Sequence, residues 1–288
     1  MADTATETLA IEERRRTPAL VAAVGGFIFI FAGQALQASG ADGADSDAEQ
    51  LTERTDAFNN LLAGSIVMLI GFVGLAFALN FVYQAAARRS STMRGTFAPM
   101  LPLGAILIGI SGILLVFAFD QIAEDFLAGT PITGDEGEER AEDLITESNL
   151  YEAASFIGIA GLFAFAVGIF YTALNAMRTG LLTRFIGTLG MALSVIVLIS
   201  QIGIIGILMW TVVVVLIAAG RWPGGRPPAW EAGVAIPWLK PGEQPADVPD
   251  REEEPARPED FEGTATEVES ERPGRRDNKR KRKRKQRG

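Results

Sequence analysis

The stretch FIGTLGMALSVIVLISQIGIIGILMWTVVVVLIAAG, residues Phe185–Gly220, decides the fold. Its 36 residues include no Asp, Glu, Lys or Arg, and Arg184 and Arg221 bound it. One helix of this length would extend about 54 Å at ~1.5 Å per residue, whereas the hydrocarbon core of a bilayer is only about 30 Å thick. The run therefore predicts two helices joined by a tight turn. The polar, glycine-containing segment Ser200–Gly203 is the predicted turn.

Four more apolar runs precede this one, so we predict an all-α, polytopic membrane helix bundle of six transmembrane helices arranged as three hairpins. Pro18 stands at a favourable helix-start position before the first run. A cleaved signal peptide is the competing interpretation of that run. The run exceeds the usual apolar region of ~7–15 residues in such peptides, which favours a retained helix. The predicted spans are about 19–36, 61–85, 101–119, 153–174, 185–199 and 204–220, within a transmembrane domain of residues 18–222.

The charges alternate along the chain and predict the orientation. Basic residues precede span 1, within the N-terminal segment 1–17, and follow spans 2, 4 and 6, whereas the loops 38–60 and 120–150 are acidic. Because basic loops stay in the cytoplasm, both termini are predicted to be cytoplasmic, in a multi-pass protein of the cell membrane. Ser46 and Glu49 have the spacing of a capping box, which predicts a polar helix running into span 2.

The composition excludes several kinds of chemistry. The chain has no Cys and no His, so thiol nucleophiles, Cys/His zinc sites and imidazole catalysis are absent. No catalytic motif is present, and we predict no catalytic residue, cofactor or enzymatic activity. A calcium loop is also not expected, because Gln50 occupies the place of the required glycine. The acids of that segment are interpreted as solvated surface (Asp45, Asp47, Glu49, Glu53 and Asp56).

Glycines three residues apart recur in the predicted spans. Small residues let helices approach closely in lipid, where packing replaces the hydrophobic effect as the driving force. Flexible helices lining a transport path are the alternative, but the span cores contain no charged residue, which argues against ion-coupled transport. Packing is therefore the preferred interpretation. The pairs are Gly71/Gly74, Gly109/Gly112, Gly158/Gly161, Gly187/Gly190 and Gly203/Gly206.

The segment after span 6 divides into a linker, residues 223–240, and a tail, residues 241–288. The tail has few large apolar residues and is predicted to be disordered. Its basic end could contact anionic lipid or an acidic partner, or only solvate the chain; nucleic acid binding is not expected. Trp222, Trp230 and Trp238 are candidate anchors at the membrane interface, with docking on the helix bundle as the alternative. The basic candidates are Lys279, Arg280, Lys281, Arg282, Lys283, Arg284 and Lys285.

The linker also carries a resemblance. Arg226-Pro-Pro-Ala-Trp-Glu-Ala-Gly233 and Ile236-Pro-Trp238, followed by the acidic and then basic tail, resemble the same region of multi-pass membrane proteins of actinobacteria. The resemblance covers roughly residues 203–288 and implies a source, without an activity. The sequence thus favours a non-catalytic scaffold or accessory subunit that contacts the bilayer and other membrane proteins. A transporter or channel for a small or neutral solute is the alternative, and a lipid-modifying enzyme has the least support.

Overall fold

The computed structural model describes residues 2–39, 46–90, 95–130, 133–200 and 202–238, all of which belong to one compact unit, Met1–Trp238. The predicted tail, including Lys279–Lys285, lies outside the described residues. Helices are the regular structure of the described residues, which contain no strand. The helices are α1 (Ala2–Ala38), α2 (Asp47–Arg89), α3 (Met100–Leu127), α4 (Gly134–Glu147), α5 (Asn149–Arg178), α6 (Arg184–Ile199), α7 (Ile202–Ala218) and the single turn α8 (Ala229–Ala232), with a 3₁₀ turn at Gly95–Phe97.

Four of these helices contain segments long and apolar enough to cross a membrane: Ala5–Ala38, Ala57–Arg89, Met100–Leu127 and Asn149–Arg178. A helix satisfies its backbone hydrogen bonds internally, which is what a segment surrounded by lipid requires. Large apolar side chains on these helices are widely exposed, such as Val21, Phe156 and Ile159 at about two thirds of their surface. The protein is therefore an all-helical membrane protein.

The long apolar run is broken into two helices, as predicted. Helix α6 ends at Ile199, and the amide of Ser200 closes its last turn on the Ile196 carbonyl at 2.8 Å. Helix α7 begins at Ile202, two residues earlier than expected. The two helices approach so closely that a Cβ on Gly203 would lie 2.6 Å from the Cα of Val197. A side chain at this position would therefore push the two helices apart.

Helix α2 is the centre of the bundle and contacts α1, α3, α5 and α7. Its side chains Leu75, Leu79 and Val82 are completely buried in one core cluster with Ile169 of α5 and Val214 of α7. The other helices are arranged around it, with α1 against α7, α3 against α5, and α5 against α6. Helix α2 therefore links α1, α3, α5 and α7 within the described bundle.

Glycines carry the closest helix contacts, which confirms the packing interpretation. Where α1 crosses α2, a Cβ on Gly26 would lie 2.7 Å from the Gly71 carbonyl oxygen, and one on Gly33 would lie 2.7 Å from that of Gly64. Helices α3 and α5 repeat the arrangement, since a Cβ on Gly104 would lie 2.7 Å from the Gly161 carbonyl oxygen. Backbone-to-backbone approaches of this kind leave no room for a methyl group.

Helix α1 differs from the expectation at its N-terminus. The helix begins at Ala2 and passes through Pro18, which was predicted to start it. A proline inside a helix removes one hydrogen bond and normally breaks or kinks the helix. The turns before Pro18 are held instead by tertiary contacts, because Glu12 is buried against α2 and the Ala5 carbonyl lies against Gly233 of the linker.

The acidic loop 120–150 also differs from the expectation, because most of it is helical. Helix α3 continues through Leu127, and α4 fills residues Gly134–Glu147. One face of α4, with Gly137 and Ala141, is buried, while acids such as Glu139 are exposed. The many acids in the sequence conceal this short amphipathic pattern. The preceding acidic segment matches its prediction, since Ser46 accepts a hydrogen bond from the Glu49 amide and caps α2.

The glycine contacts predict that alanine substitutions at two neighbouring positions of α1 will have very different effects on stability. Gly26→Ala should destabilise the protein by about 1–3 kcal/mol, the usual effect of overpacking, because its methyl group would meet backbone atoms of α2. Gly25→Ala should be neutral or slightly stabilising, because nothing lies within 4 Å of its Cβ position and alanine favours a helix. Thermal unfolding of the two variants in detergent measures the difference; equal melting temperatures would contradict the packing described.

Candidate functional site

The linker after α7 docks on the end of the bundle that carries the basic residues, here called the basic end. The basic end comprises Arg14–Arg16, Arg88–Arg89, the α5–α6 turn and residues 221–238. Trp230 of α8 is 1% exposed and stacks on Phe81 of α2, with ring centroids 5.9 Å apart. The Trp230 Nε1 donates a hydrogen bond to the Leu181 carbonyl at 2.8 Å. One side chain of the linker thereby joins α2 to the α5–α6 turn.

Arg89, at the last turn of α2, lies at the centre of the basic end. Its side chain is fully buried and pairs through both terminal nitrogens with the Glu12 carboxylate of α1, including an Nη2–Oε2 distance of 3.0 Å. Nη1 also donates to the Ala85 carbonyl at 2.9 Å. Nε and Nη2 donate to the Ala229 carbonyl of the linker at 3.2 and 3.1 Å. All five guanidinium donors therefore have acceptors, supplied by α1, α2 and the linker.

The second half of the linker is fixed by the α5–α6 turn. The Ile236 amide donates to the Thr179 carbonyl at 3.1 Å, and the Trp238 Nε1 donates to the Leu182 carbonyl at 2.8 Å. Gly180 lies directly beneath the Ile236 carbonyl with φ of 77°, a left-handed conformation that glycine adopts without strain. Arg184 donates in return to the Trp238 carbonyl at 3.0 Å. The linker thus follows a defined path across the basic end up to Trp238.

Arg226 ties the start of the linker to α7. Its Nη2 donates to the Ala218 carbonyl at 2.7 Å, where the helix ends, and a cation is favourable at that position. Its guanidinium carbon lies 6.0 Å from the Trp230 ring centroid, while that of Arg89 lies 5.5 Å away. Trp230 is thus flanked by two arginines, an arrangement in which each cation is attracted to the ring.

The three candidate tryptophans have different environments. Trp230 docks on the helix bundle, which is the alternative that the sequence left open. Trp222 and Trp238 retain 37% and 40% exposure, and membrane anchoring by these two remains a prediction. The basic candidates Lys279–Lys285 lie outside the described residues, and their proposed contacts with lipid or a partner are untested.

The opposite, acidic end of the bundle is built around a second small core. Leu51 of α2, Ile122 and Phe126 of α3 and Ala141 of α4 are buried together there. Glu138 of α4 accepts hydrogen bonds from the first amides of α2, those of Asp47 and Ala48, at 2.9 and 3.1 Å.

Arg140 makes the complementary contact at the end of α3. Its two terminal nitrogens donate to the Phe126 and Asp125 carbonyls at 2.8 and 2.7 Å. The N-terminus of α2, where Glu138 lies, favours a carboxylate, and the C-terminus of α3, where Arg140 lies, favours a cation. Arg54 lies over the Phe119 ring at 3.9 Å. The two bases of this end are therefore used to hold the helices together.

Most of the polar side chains inside the apolar helices form hydrogen bonds within their own helix. Thr172, Asn175 and Thr211 donate to carbonyls one turn earlier in their own helices. Other contacts cross between helices, among them Gln37 to Ser65 at 2.9 Å and Ser111 to the Ala154 carbonyl at 2.8 Å. These side chains are occupied in the described bundle and are not aligned for a solute.

Two cavities show what the bundle can accommodate. One of about 40 Å³ lies between α2, α3, α5, α6 and α7 and is lined only by apolar side chains, among them Phe72, Phe165 and Leu208. The other, of about 470 Å³, is an open groove at the α4–α5 junction, lined by Tyr151, Glu152 and Phe156 among others. An apolar cavity of the first kind stays dry. Neither cavity is a polar path through the bundle.

Comparisons with known proteins add no family. No protein-family model matches the chain, and neither a curated protein nor a solved structure matches it. The site is therefore interpreted from its own geometry.

Sequence analysis missed Glu12 and Arg89 as partners. Arg89 was counted only among the basic residues that set the orientation, and Glu12 was not singled out. A faint signal was present, since Glu12 and Glu13 are acids directly beside Arg14–Arg16 in a segment that should be basic. Pairing Glu12 with Arg89 of α2 requires knowing that α1 continues on the N-terminal side of Pro18. The sequence instead predicts that the helix starts at Pro18.

Glu12 and Glu13 provide a matched pair for testing the buried contact. Glu12→Ala should destabilise the protein by about 3–5 kcal/mol, because it leaves the Arg89 guanidinium buried without its counter-charge. Glu13→Ala should change stability by less than about 1 kcal/mol, because the Glu13–Arg16 pair is exposed. Chemical or thermal unfolding in detergent measures both. Similar losses for the two variants would show that Arg89 does not depend on Glu12.

The acidic end should respond to pH through Glu138. Hydrogen bonds from the Ala48 and Asp47 amides lower the pKa of Glu138 below its ordinary value of 4.5. A carboxyl whose folded pKa is lowered adds stability above its unfolded pKa and loses it as the pH falls through the folded value. The melting temperature of Glu138→Gln should therefore lie below that of the parent chain at neutral pH. The gap should close as the pH falls below about 4.5, while the exposed Glu139→Gln should show no such gap.

Proposed function

We propose that the protein is a six-span membrane scaffold or accessory subunit of the cell membrane, with both termini in the cytoplasm and the acidic end outside. The observation that carries the proposal is the docked linker. It closes the basic end of a solidly packed bundle and fixes the chain at Trp238, next to the point where the tail begins. The bundle then acts as a support, and the tail and the acidic end are the parts left to meet partners.

The helix lengths and the charge distribution support the six spans. At 1.5 Å per residue, α6 and α7 are about 24 and 26 Å long, close to the ~30 Å hydrocarbon thickness. Arg184 at the start of α6 lies at an interface in this arrangement. The basic segments are tied together by their contacts at one end, and the acidic α4 packs at the start of α2. A single orientation therefore satisfies the positive-inside rule for all of them.

The packing favours a support over a transporter. A transport path needs polar groups or water at depth, whereas the described interior cavity is small and apolar. The glycine contacts bring backbones together at both hairpins, α1–α2 and α3–α5. Such close-packed interfaces resist the small displacements that opening a path would require.

Partner capture tests the proposal. Crosslinking and pull-down from native membranes should recover a defined partner with the full chain, and less of it with a chain ending at Lys240. A chain in which the Lys and Arg residues of 272–288 are replaced by Gln separates charge from length, because it keeps the tail but removes its positive charge. Recovery of no partner by any form, together with solute flux in liposomes, would overturn the scaffold proposal.

Single cysteines provide the control on orientation, since the chain has none of its own. In intact cells, a membrane-impermeant maleimide should label Glu136→Cys on exposed α4, whereas Gly224→Cys in the linker should react only after lysis. A reporter fused after Gly288 should likewise give a cytoplasmic signal. Labelling of Gly224→Cys from outside would reject the proposed orientation, whatever the pull-down shows.

A further inference from the structure

The basic end contains more cations than its acids neutralise. Glu12 is fully engaged by Arg89, and Glu13 pairs with Arg16. Arg88 has neither a hydrogen-bond nor an ion-pair partner in the part of the chain that the structure describes. The opposite charge of Glu12 and the like charges of Arg15 and Arg89 all act on its guanidinium. An exposed guanidinium therefore stands beside two others, next to a carboxylate that is already used.

The geometry brings Arg15 and Arg88 together on one face. Arg15 of α1 donates through Nη1 to the Gln84 Oε1 of α2. Gln84 and Arg88 are four residues apart in α2, so their side chains lie on the same face, one turn from each other. The bond to Gln84 uses one of the five Arg15 donors and holds that guanidinium beside Arg88. Two like charges held together repel, and a bound anion relieves that repulsion.

We propose that Arg15 and Arg88 form a binding site for the phosphate group of an anionic lipid at the basic end of the bundle. A guanidinium donates two parallel hydrogen bonds to a phosphate, and its planar geometry suits this ligand better than an ammonium does. Both arginines stand where α1 and α2 leave their apolar segments, which is the depth of lipid phosphates. The lipid tails would lie along exposed apolar side chains on the same helix faces, such as Phe29 of α1, fourteen residues from Arg15, and Phe77 of α2, eleven residues from Arg88.

The assignment of this site to the cytoplasmic leaflet rests on the proposed orientation, but the binding chemistry does not. The site also differs from the predicted tail contact, because it uses arginines of the helices and needs no residue after Trp238. A chain that ends at Lys240 lacks the basic tail altogether and is therefore the second form to test.

Native mass spectrometry of the protein in detergent with phosphatidylglycerol tests the site. Detergent removes the charged membrane surface, so only a specific site retains lipid. Arg15→Gln and Arg88→Gln should each weaken phosphatidylglycerol binding about tenfold, because each removes charge-assisted hydrogen bonds. Arg178→Gln is the matched control, an exposed arginine at the end of α5, and should bind as the parent chain does. Melting temperatures check that each variant is folded.

The other outcomes of these experiments distinguish a specific lipid site from non-specific attraction and from a site for free phosphate. Equal losses in all three variants would show non-specific attraction between opposite charges, and unchanged binding in Arg15→Gln and Arg88→Gln would exclude the site. Displacement of the lipid by millimolar inorganic phosphate would assign the site to free phosphate. Retained binding in the chain ending at Lys240 would support the arginine site, whereas loss of binding in that chain would assign the lipid to the tail. Failure of the cysteine labelling would reject the orientation but leave the lipid site standing.

Discussion

The structure of the basic end depends on burying one arginine without leaving any of its donors unpaired. A buried guanidinium is tolerated only when its charge and its hydrogen bonds are both compensated. Arg89 meets both conditions, since Glu12 supplies the charge and the Ala85 and Ala229 carbonyls accept the remaining bonds. The acceptors belong to α1, α2 and the linker. Removing the contact from α1 or from the linker would leave Arg89 incompletely compensated, so the positions of both elements on α2 depend on one another.

Between the apolar parts of the helices, close backbone contacts hold the helices together, as the Glu12–Arg89 pair does at the basic end. Lipid is as apolar as the helix surfaces, so close packing must supply the association. Gly26 and Gly71 allow this between α1 and α2, and Gly104 and Gly161 allow it between α3 and α5. The rings of Tyr83 and Tyr171, which occupy similar positions in α2 and α5, lie 6.2 Å apart where those helices meet. The α1–α2 and α3–α5 pairs therefore pack by the same physical rule.

The features that the sequence predicted are those with local causes. The break after Ile199 follows from a run too long for one span, and the Ser46 cap of α2 follows from a four-residue pattern. The packing role of the glycines follows from their helical spacing. Features with distant causes were missed. The passage of α1 through Pro18 depends on contacts with residues 89 and 233, and the docking of Trp230 depends on a carbonyl at Leu181.

The opposite charges of the two ends explain which residues remain available for binding. At the basic end the acids Glu12 and Glu13 are paired with arginines. At the acidic end Arg140 closes the end of α3.

The buried Glu12 and the helix-end Arg140 are minority charges that stabilise the fold, and the majority charge of each end is left on the surface. A surface of one sign attracts ligands of the other. The division of charges that holds the bundle together thus also determines what each end can bind.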